Sequence, residues 1–148
     1  MEYTIRRAVS TDLERLKEFL IRAELAAEGL SPETIGSFLV LEDDDSNIKG
    51  TLGVEIYQHS GLLRSLVVAP GQAQQKIFAL LEQGVRFAKE TGLESLLLAT
   101  NKKVTVPFFE LMGFREINQE ELPQEMENSQ HIRHILNVDN SVFLKLSL

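Results

Sequence analysis

The sequence has no cysteine, no tryptophan and only four prolines. No stretch approaches the roughly 18 uninterrupted apolar residues of a membrane-spanning helix. Without cysteine there is no disulfide framework, no thiolate metal site and no cysteine nucleophile, and the composition fits a reducing compartment. Arg6 and Arg7 have no apolar run behind them, so no secretory leader is expected. These absences together give the expectation of a soluble, cytoplasmic protein without a membrane partner. Positive charge is also scarce, with 15 Lys and Arg against 22 Asp and Glu, a net charge of −7. That balance argues against a nucleic-acid partner, because phosphate contacts supply most of such affinity.

What is present suffices for one ordinary core. The 148 residues are 43% hydrophobic, and no linker, repeat or low-complexity tract divides them, so a single domain over 1–148 is expected. The charge is unevenly spread. The segment from Arg64 to Lys103 carries six basic and three acidic residues, a local +3 that leaves −10 for the remainder. An anionic ligand docking there is one reading. For Arg86, Lys89, Glu82 and Glu90 the solvated face of a helix is the better one.

Periodicity orders the elements. Tyr3 to Val9 reads as a strand, and Thr11-Asp12-Leu13-Glu14 as a capping box opening a helix with Leu13, Leu16, Leu20 and Ala23 on one face. Ser31-Pro32 signals a second, short helix. Phe38–Leu41, Lys49–Gln58 and Leu62–Ala69 read as strands, with an acidic loop from Glu42 to Asn47 and a hairpin turn at His59-Ser60-Gly61. After Pro70 the spacing of Ile77, Leu80, Leu81, Val85 and Ala88 is helical, and Gly92 supplies a stop. Leu93–Thr100 is apolar on both faces, as in a buried central strand. Strand, helix and strand of these lengths predict a right-handed crossover, so 62–69 and 94–100 should be parallel neighbours that splay apart near Pro70. A short helix around Pro107, a strand at Phe114–Ile117, a polar helical stretch over 120–135 and a last strand at Ser141–Leu148 follow. The order β-α-α-β-β-β-α-β-α-β-α-β defines an α+β fold with a mixed central sheet.

Several of these segments carry a resemblance. They are Ile5-Arg6-Arg7-Ala8 with the helix from Asp12, Leu66-Val67-Val68-Ala69-Pro70, Leu80-Leu81, Leu97-Leu98-Ala99-Thr100, and Phe108-Phe109-Glu110-Leu111-Met112-Gly113-Phe114. Over the whole chain they resemble the GNAT superfamily of acetyl-CoA-dependent N-acetyltransferases. The last is similar to that superfamily's aromatic-aromatic-x-x-x-Gly-Phe element. Glu121-Leu122-Pro123 and Ser141-Val142-Phe143-Leu144 more narrowly resemble the acetyltransferase domain of N-acetylglutamate synthase and the arsenic-resistance N-acetyltransferases. The resemblance implies a GNAT-like (acyl-CoA N-acyltransferase) fold, acetyl-CoA as co-substrate, and a small-molecule amine, such as that of an amino acid, as acceptor. It also implies acetyl and pantetheine along the backbone of Leu66, Val67 and Val68, and pyrophosphate at Gln72, Ala73, Gln74, Gln75, Lys76 and Ile77. A homodimer is left open.

Independently of any family, a helix N-terminus offers unpaired amides and partial positive charge, and binds pyrophosphate when glycines let the backbone come close. The superfamily places Arg/Gln-x-x-Gly-x-Gly/Ala after the proline. Here Gln72 matches, Gln75 and Ile77 stand in the glycine positions, and Gly71 falls outside the motif. Each replacing side chain stands where a phosphate oxygen would meet an amide, and Lys76 can answer with charge. Phosphate binding and a merely polar helix start remain equal readings of Gln72 to Lys76.

Acetyl transfer to an amine needs a base and a way to accommodate the departing thiolate. Phe108-Phe109 stands where many superfamily members place a tyrosine acid. Glu55 shares a strand face with Tyr57 and is the candidate catalytic base, set against a strand carboxylate without a role. Arg64 either pairs structurally with a carboxylate or binds a substrate carboxylate, and Arg6 and Arg7 offer the same pair of readings. The synthase-like Arg-x-Ser element reads Asp139-Asn140-Ser141, keeping Ser141 as a substrate contact but not the arginine, which weakens recognition of glutamate itself. His59 reads as a turn residue. His131 and His134 lack further ligands at metal-binding spacing, so no metal is expected. Two functions follow: an N-acetyltransferase, or a GNAT-fold binding or regulatory module without acetyl-CoA chemistry.

Overall fold

The structure is a computed structural model and describes residues 3–25, 30–71, 74–126, 129, 132 and 141–148; the side chain of Gln74 lies outside that description. The strands are β1 (Thr4–Arg7), β2 (Phe38–Glu42), β3 (Ile48–Tyr57), β4 (Ser60–Val68), β5 (Ser95–Thr100), β6 (Arg115–Ile117) and β7 (Val142–Ser147). The helices are α1 (Leu13–Arg22), α2 (Gln74–Thr91) and α3 (Val106–Leu111). Seven strands hydrogen-bond in the order β1-β2-β3-β4-β5-β7-β6. The β1–β2, β2–β3, β5–β7 and β6–β7 registers are antiparallel. As the crossover through α2 requires, Ser60–Leu62 of β4 pair in parallel with Ser95–Leu97 of β5. The sheet is therefore mixed, as expected. No described helix is long and apolar enough to cross a membrane.

The chain forms two compact units, Met1–Glu55 with Arg64–Phe87, and Ile56–Leu63 with Ala88–Leu148. In the first, the apolar stripe of α1 places Leu16 and Leu20 out of solvent against Ala8, Phe38 and Val40. Phe38 lies directly opposite Gly53 in the β2–β3 register, and a Cβ at Gly53 would come within 2.5 Å of the Phe38 ring. The ring occupies the volume that any side chain at position 53 would need.

Charge fixes the entry to α1. Asp12 is almost fully buried and accepts two bonds from Arg6, Nη1 to Oδ2 at 2.8 Å and Nη2 to Oδ1 at 2.9 Å. The same guanidinium donates to Glu42 through Nε at 2.8 Å and Nη2 at 3.1 Å. Arg15 adds a bond to Asp12 Oδ1 at 2.8 Å and another to the Ser46 carbonyl at 2.7 Å. Arg6 thus takes the structural reading. Arg7 does as well, donating to the Gly36 carbonyl at 3.0 Å with its guanidinium 5.0 Å from the centre of the Phe87 ring.

Four local expectations are corrected. The capping box at Thr11 and Glu14 does not form: a 3-10 turn over Ser10–Asp12 precedes α1, and the Asp12 carboxylate takes the Val9 N–H at 2.7 Å together with both arginines. The helix expected after Ser31-Pro32 is a turn followed by a 3-10 turn at Ile35–Ser37. The Ser31 N–H donates to the Thr34 hydroxyl oxygen at 2.9 Å and the Thr34 N–H to the Ser31 hydroxyl oxygen at 3.3 Å, but the chain must extend at once to place Phe38 in β2. The hairpin turn is Gln58-His59, with Gln58 at φ +54°, and Ser60 and Gly61 belong to β4. Over 120–135 the first part of the expected helix is replaced by 3-10 turns at Gln119–Glu121 and Gln124–Met126, separated by Pro123, which has no N–H to continue a helix, whereas Ile132 is helical as expected. The remainder of that stretch is largely outside the described residues.

The second unit packs Leu62, Leu97, Met126 and Phe143 together. Leu96, Leu97 and Leu98 of β5 are all buried, as a strand covered on both faces should be. Buried hydroxyls of Ser95 and Ser60 satisfy each other at 3.2 Å.

One backbone irregularity was not expected. Ser65, inside β4, has φ +57°, a left-handed conformation that interrupts strand alternation immediately after Arg64.

Two predictions follow from this architecture. The Arg6 guanidinium holds the Asp12 and Glu42 carboxyls below their ordinary values, which lie near 4. In the window below about pH 4 the unfolded chain therefore binds more protons than the native one, so stability falls as pH falls. Asp12→Asn should cost about 3 kcal/mol at neutral pH, the lower end for a broken buried pair because Arg6 is a third exposed, and should flatten the acid limb of the stability curve in urea titrations. At Ser65, replacement by valine should cost about 1–3 kcal/mol, whereas glycine should hold or raise stability by less than about 1 kcal/mol, read by the same titration.

Candidate functional site

The candidate residues that the structure brings together lie in the first unit, on β3, β4 and the start of α2. Arg64 and Glu55 face each other across the β3–β4 hairpin, with Arg64 Nη1 3.3 Å from Glu55 Oε1. The Arg64 side chain is only 9% exposed, against 25% for Glu55. Arg64 Nε is buried and has no hydrogen-bond partner among the described residues. An unmet buried donor costs about 1–3 kcal/mol, and on a guanidinium its natural complement is an oxyanion. Of the two readings for Arg64, the structure therefore supplies the carboxylate pairing with one nitrogen and leaves another nitrogen unsatisfied.

Downstream, Leu66, Val67 and Val68 are half-buried, and β4 is closed onto β3 by the Ala69 N–H donating to the Lys49 carbonyl at 2.7 Å. The chain then turns at Pro70-Gly71. Gly71 has φ +89°, and a Cβ added there would meet nothing within 4 Å, so this backbone is open to an approaching group. Gln72 and Ala73 lie outside the described residues. α2 begins at Gln74; Gln75 is exposed and Ile77 is half-buried. Lys76 places its Nζ 4.0 Å from the centre of the Tyr3 ring.

Ser141 belongs to the second unit. It lines a depression of about 470 Å³ with Lys103, Val106, Pro107, Glu116 and Val142. Also in that unit, the backbone N–H of the exposed His59 donates to Glu125 at 2.9 Å. Phe108 and Phe109 stack edge to face at 5.3 Å, and Phe109 meets Phe114 at 6.1 Å, so the aromatic pair is an apolar packing element. His131 and His134 lie outside the described residues. Among the described residues no group of His, Asp and Glu side chains could hold a metal ion.

Sequence reasoning missed the left-handed Ser65, the seating of Lys76 on Tyr3, and the company of Lys103 and Glu116 around Ser141. Only the third had a signal, since the Ser141–Leu148 strand was read and its partner strand begins at Arg115.

The fold and these positions can be set beside known proteins. No protein-family model matches the chain. The uncharacterized protein YwlB of Bacillus subtilis is 32% identical over 146 residues, covering 98% of this chain and 97% of YwlB. Among solved structures, N-acetylglutamate synthase from Neisseria gonorrhoeae, complexed with coenzyme A and N-acetyl-glutamate, superposes with a TM-score of 0.80 at 22% identity. That match covers 100% of this chain and 35% of the synthase, so the chain spans about a third of the length of that relative. Rv2747 from Mycobacterium tuberculosis, in complex with coenzyme A, matches with a TM-score of 0.77 at 19% identity over 98% of this chain and 99% of its own. The mixed sheet, the parallel β4–β5 pair joined through α2, and these likenesses agree: the chain belongs to the family of Bacillus subtilis YwlB and has the fold of the GNAT superfamily of N-acetyltransferases.

Proposed function

We propose that the protein transfers an acetyl group from acetyl-CoA to the amine of a small carboxylate-bearing molecule of amino-acid type. The GNAT fold and the coenzyme A bound by two of its structural neighbours support the donor. The observation that carries the acceptor class is Arg64: a guanidinium nine-tenths buried, held by Glu55 through one nitrogen and left with an unsatisfied Nε. A carboxylate is the group that a guanidinium fork binds best, so the acceptor is fixed at its acid end and its amine is presented for reaction.

In the reaction the deprotonated amine attacks the thioester carbonyl carbon, the C–N bond forms, the C–S bond breaks, and the thiolate leaves to take up a proton. Glu55 serves as the base that accepts the amine proton, directly or through one water. The Arg64 contact orients its carboxylate. The backbone of Leu66, Val67 and Val68 lines the pantetheine path, and Gln72, Ala73, Gln74, Gln75, Lys76 and Ile77 meet the pyrophosphate. Gly71 supports that assignment, because its open backbone lets an anion approach the head of α2.

Calorimetric titration of the wild-type protein with acetyl-CoA tests the donor, and thiol release across a panel of amino acids tests the acceptor. Acetyl-CoA should bind. Glu55→Gln should lower kcat by about 10²–10⁴ while leaving acetyl-CoA binding in place. Arg64→Lys, which keeps charge but not the fork, should raise the acceptor KM by about tenfold or more, with little effect on amines that lack a carboxylate. A folded protein that binds no acetyl-CoA would sink the proposal in favour of the binding-module reading.

A further inference from the structure

We infer that the solvent-facing side of α3 and of the 3-10 turn before it, Lys103–Thr105, is a self-complementary surface on which a second copy of this chain docks, the two segments lying antiparallel about a two-fold axis. The assignment is independent of the acetyl-transfer reading, since it involves none of the residues named there. The inward side of α3 is already satisfied, because Phe109 packs edge to face on the buried Phe114. The outward side is apolar as well. Val104 is 88% exposed and Leu111 82%, whereas the other exposed large apolar side chains among the described residues lie between 37% and 65%. Between them Pro107 is exposed and Phe108 half-buried. Positions 104, 107, 108 and 111 follow the spacing that puts side chains on one helical face. A single exposed leucine is ordinary, but a contiguous apolar stripe turned to water marks a surface that meets something.

The symmetry of the stripe identifies the occupant. Its spacing of three, one and three residues reads the same in both directions. In an antiparallel pair Val104 of each copy therefore meets Leu111 of the other, and Pro107 meets Phe108, which is the self-complementarity that a two-fold interface requires. Charge obeys the same symmetry. Lys103 and Glu110 are seven residues apart, roughly two helical turns, and so lie on one flank of the stripe at opposite ends. Reversing the second copy brings Lys103 of each beside Glu110 of the other, offset by about 3 Å along the axis at a rise of about 1.5 Å per residue. A parallel pair would set lysine on lysine and glutamate on glutamate. Both side chains are exposed, and among the described residues neither enters an ion pair within its own chain. One short segment is smaller than the roughly 20–30 residues a side of a tight complex, so the association is reversible and depends on concentration.

Sedimentation equilibrium of the wild-type protein from about 5 µM to about 1 mM should show the mass rising from one chain toward two. Leu111→Glu, which puts a carboxylate into the apolar stripe, should weaken association by about tenfold or more. Lys103→Glu and Glu110→Lys should each weaken it several-fold. The double exchange should restore it to within about twofold of wild type, because only that variant returns opposite charges to both contacts. Circular dichroism checks that each variant keeps its fold. Since the chain has no cysteine of its own, Val104→Cys mixed with Leu111→Cys under oxidation should give a disulfide between the two variants in preference to one within either. A monomer at every concentration would overturn the inference, including the case in which the stripe serves a different protein. So would a dimer that Leu111→Glu leaves intact, a double exchange no better than the single ones, or cross-linking of each cysteine variant with itself as readily as with the other.

Discussion

The first unit depends on where one guanidinium is allowed to go. Arg6 projects from an edge strand and is shared by two carboxylates from separate parts of the chain, Asp12 at the threshold of α1 and Glu42 at the end of β2. Because each acid meets it through two nitrogens, the arrangement specifies direction as well as distance. β1 must lie beside β2, and α1 must begin at Leu13, for both forks to close. Apolar burial of Leu16 and Leu20 supplies the larger free energy, but it would tolerate a helix rotated or shifted slightly. The ionic cluster would not, and so it selects one arrangement among several that the oily contacts allow.

The same division of labour recurs at β3 and β4. Leucine and valine side chains hold the strands in place, and polar groups determine what the surface presents. Arg64 illustrates the cost of that second task. A guanidinium largely withdrawn from water with one donor unmet makes the strand less stable than an apolar residue would. Its neighbour Ser65 adds backbone strain in the left-handed region. Two unfavourable features at consecutive positions of a strand are poorly explained by packing, and their coincidence agrees with a surface shaped to meet something else.

Legibility in the sequence followed interaction range. α2 was readable to its ends because Ile77, Leu80, Leu81 and Ala88 repeat at helical spacing and Gly92 stops them, all local facts. β5 was readable from three consecutive leucines. The partner of Arg6 was not, because Glu42 lies 36 residues away and pairing of charges leaves no periodic trace. The same holds for Lys76 and Tyr3. The helix start was misread for a related reason: the pattern Thr11 to Glu14 satisfies a local rule, but Asp12, held by Arg6 and Arg15, takes the Val9 N–H and α1 begins at Leu13. Glu55 and Arg64 could both be nominated from the sequence, whereas their contact needed the hairpin register, which depends on a turn one residue earlier than the glycine suggested.

Phe38 and Gly53 leave a mark on how this sequence can drift. Since the ring fills the space above position 53, a change at either place alone opens a void or forces a clash, and only a paired exchange of a smaller residue at 38 for a larger one at 53 conserves the volume. The two positions behave as one inherited unit divided between two strands. Among descendants of this chain they should be retained together or replaced together, and the mutational route between those states passes through an intermediate less fit to fold than either end.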